Sequence, residues 1–158
     1  MPDPTPEPAD PTPEPPEPGD LAAGPPDLAL EPPDLAVELA MIARAVVAAR
    51  AMDRRVAVAV VDASGRLVAF HAMPGTLLTS DAVAVAKAYT SAVFGRSTRD
   101  LAETVPADRW AQIAAVNGGR IIQVPGGLPT PLGGVGVSGA SADEDERIAT
   151  AALEPQPS

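Results

Sequence analysis

The residues able to do chemistry are few. Lys87 is the only lysine and His71 the only histidine among 158 residues, ten of the eleven basic side chains are arginine, and cysteine is absent. A compact ammonium shifts its pKa readily on burial, so Lys87 suits the binding of a carboxylate-bearing substrate, a general base or a Schiff-base amine. The alternative is a structural pair with an acid such as Asp62 or Asp81. Thr90 shares the Lys87 stripe and falls within the same candidate binding set. His71 follows a strand and precedes a Met-Pro-Gly loop, which suits an axial ligand or a general base, or else an ordinary solvated loop side chain. Met73 is a soft ligand or a gap-filler, and Tyr89 an iron ligand or a packing residue. Gly126-Gly127, between Pro125 and Pro129, can present amides to an anion or serve simply as a turn. The acids from Asp143 to Glu146 lack histidine and ligand spacing, so they read as a solvated helix start and no metal site is expected.

These residues need elements to hold them. At about 100° per residue, Ser80 to Phe94 forms an alanine-rich helix with Ala82, Val85, Ala86, Tyr89 and Val93 on a face expected to meet the core. A second stripe holds Val83, Lys87, Thr90 and Phe94. The arc of Ala84, Ala88 and Ser91 is small enough for another backbone to approach. Leu35 to Met52 predicts a first helix that buries Leu35, Leu39, Ile42, Ala43, Val46 and Val47 and turns Glu38, Arg44 and Arg50 outward. Asp34 is placed to cap it. Alternation at Val56, Val58 and Val60, the turn Asp62-Ala63-Ser64-Gly65 and the return Leu67 to Phe70 give a hairpin. Ser80 and Thr98 are expected helix caps, and Ala107 to Val116 a further helix ending at Asn117-Gly118-Gly119. Arg120 to Val124 and Gly134 to Val137 read as a second hairpin. Ser141 to Glu144 forms a capping box for a last helix reaching about Leu153. Hairpin-linked strands pair antiparallel, so the fold expected is α+β, a three-layer sandwich of an antiparallel sheet flanked by helices.

Composition bounds the partners. Residues 1–33 hold thirteen of the twenty prolines and eight acids without a base, so most of the net charge of −10 lies there. Such a segment predicts a disordered, polyproline-rich tail, followed by one domain over 34–153 and a short tail over 154–158. Asp-Leu-Ala recurs every seven residues. Asp20-Leu21-Ala22 and Asp27-Leu28-Ala29 read either as spacer or as docking motifs whose leucine fills a pocket while the acid meets a basic rim. The acidity argues against nucleic acid, and no signal-like or membrane-spanning stretch is evident. A cytoplasmic protein is therefore expected, with residence inside a protein-shelled compartment the variant that a docking tail would bring.

The blocks VVDASGRLVAF, SDAVAVAKAYTSAVFGRST, GGLP and GVGVSGASADEDERIATAAL, in this order and spacing, resemble the GlcG/HbpS family, also called the heme-degrading domain family. The resemblance covers roughly Leu35 to Leu153. It implies a profilin-like sheet, dimers assembled into rings, and heme or related tetrapyrrole binding, as in the similar C-terminal domain of PduO-type proteins. The chain departs from the family at Ala72-Met73-Pro74-Gly75, where relatives often read Arg-Met-Asp-Gly. Its first helix also lacks the histidine that ligates heme in some relatives. Three functions follow as expectations. One is an oligomeric binding protein for heme or another carboxylate-bearing small molecule, with its pocket between subunits. Another is a cofactor-independent lyase or isomerase using Lys87, His71 and the Gly126-Gly127 amides. The third is a cargo or scaffold protein docked to a shell or partner protein through its tail.

Overall fold

The computed structural model describes residues 35–155. Helix α1 (Leu35–Ala51) leads to the hairpin β1 (Ala57–Asp62) and β2 (Leu67–Ala72). Helices α2 (Leu78–Phe94), α3 (Thr98–Thr104) and α4 (Ala107–Val116) follow, then β3 (Gly127–Thr130), β4 (Gly133–Ser138) and α5 (Ala142–Leu153). The strands form one antiparallel sheet in the order β2-β1-β4-β3. The expected α+β architecture is present.

Strand alternation divides the interior in two, because successive side chains leave opposite faces of the sheet. Val56, Val58, Val60, Val135 and Val137 pack against α1 and α5 through Met41, Ile42, Ala45, Ile148 and Ala149. Ala57, Ala59 and Val61 face the other way and meet Ala84 and Ala88 of α2. A satellite cluster of Leu101, Trp110 and Ile121 holds α3 and α4, with Tyr89 and Phe94 of α2 at its edge.

The phase of α2 reverses the expectation. Ser80, Ala84, Lys87, Ala88, Thr90 and Ser91 are buried, while Ala82 and Val93 are exposed and Val85, Ala86 and Tyr89 half-buried. The reason lies in the sheet. A Cβ on Gly136, Gly134 or Gly127 would fall closer than 3.0 Å to the α2 backbone oxygens of Ala84, Ala88 and Lys87 respectively. The helix therefore rests its smallest side chains on a glycine track, and its larger apolar residues are left on the far side.

The first helix is rotated too. Ile42 and Val46 are buried as expected, together with Met41, Ala45, Ala49 and Glu38, the last expected outside, whereas Leu35, Leu39 and Val47 are 52%, 52% and 60% exposed and Ala43 is exposed too. Alanine at 45 and 49 lets α1 lie close to Ala149 and Ala152 of α5, and Arg44 Nε donates to Ala152 O at 2.8 Å. Other local corrections are small. Leu77, not Ser80, occupies the cap position of α2, and Ser97, not Thr98, caps α3 through the Asp100 amide. The capping box at Ser141 and Glu144 forms as expected.

Residues 120–124 form no strand. The Ile122 amide donates to Thr90 Oγ1 at 2.9 Å, and Gln123 Nε2 donates to the carbonyls of Leu101 and Val105. The Ile122 amide that a ladder would have used is thus spent on α2, the Gln123 side chain ties the segment to the α3 end, and β4 pairs instead with Gly127–Thr130. The expected cap at Asp34 and the two Asp-Leu-Ala motifs at 20–22 and 27–29 lie outside the described residues.

Candidate functional site

Lys87 sits where α2, β4 and the start of α5 meet. Its ammonium donates to Asp145 Oδ2 at 2.7 Å and to Val137 O at 2.8 Å, with side-chain exposures of 1% for Lys87 and 4% for Asp145. The second oxygen of Asp145 accepts from the Ala140 amide at 2.9 Å. Burial pushes the Lys87 ammonium down, opposed by Asp145; burial pushes the Asp145 carboxyl up, opposed by Lys87. The partner is neither Asp62 nor Asp81. Asp62 instead closes its own turn by accepting from the Ser64 and Arg66 amides.

The Gly126-Gly127 turn does converge on Lys87. A Cβ at Gly126 would stand 3.0 Å from Lys87 Nζ, and the Gly127 amide donates to Thr98 Oγ1 at 2.9 Å. Thr90 Oγ1 donates to Ala86 O and accepts from Ile122, so this hydroxyl ties the 120–124 segment to α2. His71 and Met73 stand elsewhere. Cross-strand partners share a face, and His71 pairs with Val58, whose side chain belongs to the α1–α5 side of the sheet. His71 is thus exposed on edge strand β2, on the face away from α2. Met73 is 4% exposed in that same core.

The acidic run is not a solvated helix start throughout. Asp145 turns inward to Lys87, Asp143 and Glu146 both accept from Arg99 of α3, and Glu144 meets Arg54 at 2.9 Å. The four acids are matched by three cations, Arg54, Lys87 and Arg99, from three separate parts of the chain, and among the described residues no cluster of potential metal ligands occurs. The Arg54 guanidinium, with the Ser141 amide and hydroxyl, holds the Glu144 carboxyl down from the ordinary 4.5 to about 2. A depressed carboxyl stabilises the fold above its unfolded value, and that contribution disappears as pH falls from about 4.5 toward 2. Acid unfolding of Glu144→Gln, followed by circular dichroism, is accordingly expected to show a shallower loss of stability across that window than the parent chain.

The outward face of α2 carries a second feature. A groove of about 250 Å³ is lined by Ala82, Val85, Ala86, Tyr89, Gly119 and Arg120. Its floor is the stripe that periodicity had assigned to the core. The Arg120 guanidinium lies 4.0 Å from the centroid of the Tyr89 ring, a cation–π stack that leaves the edge of the guanidinium plane to donate hydrogen bonds. The ring itself is seated against Gly65, where a Cβ would come within 2.5 Å of Tyr89 Cε2. An apolar floor with one cation at its rim is chemically suited to a flat apolar molecule bearing a carboxylate. Sequence reading missed Arg120 and Gly119; the one available signal was an arginine directly after a helix-ending Asn-Gly-Gly.

Known proteins match the domain. A protein of Citrobacter freundii, described as an uncharacterized 15.0 kDa protein in the dhaT-dhaS intergenic region, is 32% identical over 116 residues, covering 68% of this chain and 82% of that relative. The corrinoid adenosyltransferase PduO of the same organism is 31% identical over 123 residues, 73% of this chain and 37% of PduO, so the chain spans well under half of that protein. A crystal structure of a PduOC:heme complex superposes with a TM-score of 0.70 at 27% identity, covering 75% of this chain and 90% of the other. Residues 34–154 match the family model described as haem degrading protein HbpS-like, and the chain belongs to that HbpS-like family.

Proposed function

We propose that this chain is a small-ligand-binding protein for heme or a related carboxylate-bearing tetrapyrrole, held in the groove on the outer face of α2. The observation that carries the reading is Arg120, the one charged residue lining an otherwise apolar groove. The likeness to a PduOC:heme complex supports the same ligand class. The donor set fits the group: alanine and valine side chains for the face of a macrocycle, a guanidinium for a propionate and a phenol beside it. About 250 Å³ is less than the roughly 300–1,000 Å³ of a site that encloses a drug-sized ligand. One chain therefore covers one side of the molecule. A second copy would cover the other, and Leu78 and Val93, 87% and 45% exposed on α2, supply apolar surface for it. Bound heme would supply redox and oxygen chemistry; the protein's part is to orient the macrocycle and hold its carboxylate.

The lyase or isomerase reading requires Lys87 to meet a substrate. Its ammonium instead donates to Asp145 and Val137 in the interior, so the groove is the better site. The test is titration of the purified chain with hemin, read by the Soret band and by quenching of Trp110, the only tryptophan. Arg120→Met is expected to weaken binding about 10- to 100-fold, the worth of a charge-assisted hydrogen bond, while His71→Ala leaves it unchanged. Absence of a Soret shift, or equal binding by Arg120→Met, overturns the proposal.

A further inference from the structure

We infer that the phenol oxygen of Tyr89 is the protein's ligand to ferric iron when heme occupies this groove. The inference rests on the binding reading above and adds what the groove selects, namely the ferric, iron-loaded macrocycle over its metal-free form.

Among the side chains lining the groove, only one can ligate a metal. Ala82, Val85, Ala86 and Gly119 carry no donor atom, and a guanidinium has no lone pair to give. The other candidates are out of reach by placement: His71 lies on the opposite face of the sheet, Met73 is in the core, and Lys87 is enclosed with Asp145. A phenol oxygen is a known class of axial ligand to heme iron. Tyr89 is also held as a ligand should be. Gly65 admits one edge of its ring, Arg120 covers one face, and the satellite cluster of Trp110 and Ile121 backs it. Packing of this kind fixes the rotamer before the ligand arrives.

Charge decides the oxidation state. On ligation Tyr89 releases its O–H proton to solvent and donates an oxygen lone pair to iron, with no electron transferred. The Arg120 guanidinium, stacked 4.0 Å from the centroid of the same ring, puts a positive charge against the residue that would carry the anionic oxygen. A hard anionic oxygen favours the ferric over the ferrous ion, so reduction is expected to loosen the bound heme.

Three readouts on the full-length chain test this: resonance Raman phenolate modes of the ferric hemin complex, the hemin Kd, and the Kd for metal-free protoporphyrin IX, both affinities from Trp110 quenching. Tyr89→Phe is expected to abolish the phenolate modes and weaken hemin tenfold or more while changing protoporphyrin affinity less than twofold. A ferric wild-type complex without phenolate modes, or a Tyr89→Phe complex with the wild-type spectrum and affinity, overturns the ligation and leaves the groove standing. Failure of both hemin and protoporphyrin to quench Trp110 in the wild type removes groove and ligation together. Should Tyr89→Phe weaken both probes equally, the ring is part of the floor and the ligation is overturned.

Discussion

Lys87→Met is expected to destabilise the domain by about 3–5 kcal/mol, the usual cost of removing one partner from a buried ion pair. The cost arises because Asp145, 3% exposed, keeps its charge or its desolvated carboxyl in a site built around an ammonium. The direction with pH follows from the carboxyl being raised by burial. Without the lysine nothing cationic opposes that rise, so the folded variant holds its proton to higher pH than the unfolded chain does. The penalty is smallest in acid, where the carboxyl is protonated in both states, and grows as pH rises through the ordinary carboxylate range. Urea denaturation of Lys87→Met from pH 4 to pH 8 should show a widening gap from the parent chain. A double replacement, Lys87→Met with Asp145→Leu, should recover a large part of the loss, since well-packed apolar pairs often replace buried ion pairs at little cost. If the single variant melts like the parent, the pair is not what locks α2 to α5.

The second large effect is expected at Gly136. This residue lies at the centre of β4, and an added methyl would collide with the Ala84 carbonyl of α2, a backbone atom that can yield only if the helix moves. Overpacking against a rigid neighbour places Gly136→Ala at about 3 kcal/mol, the upper end of the usual range. Gly118→Ala is the control. Its φ is +64° but nothing lies within 4 Å of the added methyl, so it should lose only about 1–2 kcal/mol from backbone strain. Equal losses at the two sites, measured by thermal melting, would show that the glycine track under α2 is not set by contact. A shift of α2 would also widen or close the groove on its other side, so Gly136→Ala should disturb hemin binding although it lies on the opposite side of the helix.

Much of the fold was legible because it rests on short-range rules. The hairpin of β1 and β2 declared itself by valine alternation and an Asp-Ala-Ser-Gly turn, and α5 by a reciprocal Ser141–Glu144 cap. The second hairpin was placed wrongly in part. Arg120 to Val124 has the apolar look of a strand, but its hydrogen bonds go to Thr90, Leu101 and Val105, partners far along the chain that no local pattern announces. Helix phase failed for a related reason. In α2 the buried stripe is rich in alanine and serine while Leu78, Val93 and half-buried Tyr89 lie outward, and in α1 alanine at 45 and 49 is buried while Leu35, Leu39 and Val47 are exposed. Hydrophobic periodicity assumes that the largest apolar residues are innermost, and that assumption fails where backbones approach across glycine or alanine.

The sequence alone determined the α+β class, the family blocks, and the fact that a single lysine inside an apolar helix must find a partner, since a buried ammonium is too costly to leave unpaired. It could not determine who that partner is. Asp145 stands 58 residues away in an acidic run that looks solvated, and only the crossing of α2 over β4 brings the two to 2.7 Å. Tertiary structure likewise decided where ligand chemistry has room. Close packing on Gly127, Gly134 and Gly136 took the small face of α2 inward with Lys87 and left Ala82, Val85, Ala86 and Tyr89 to form a groove beneath Arg120. The side of a helix that faces solvent depends on the shape of the surface it lands on, and that surface is assembled from strands remote in sequence.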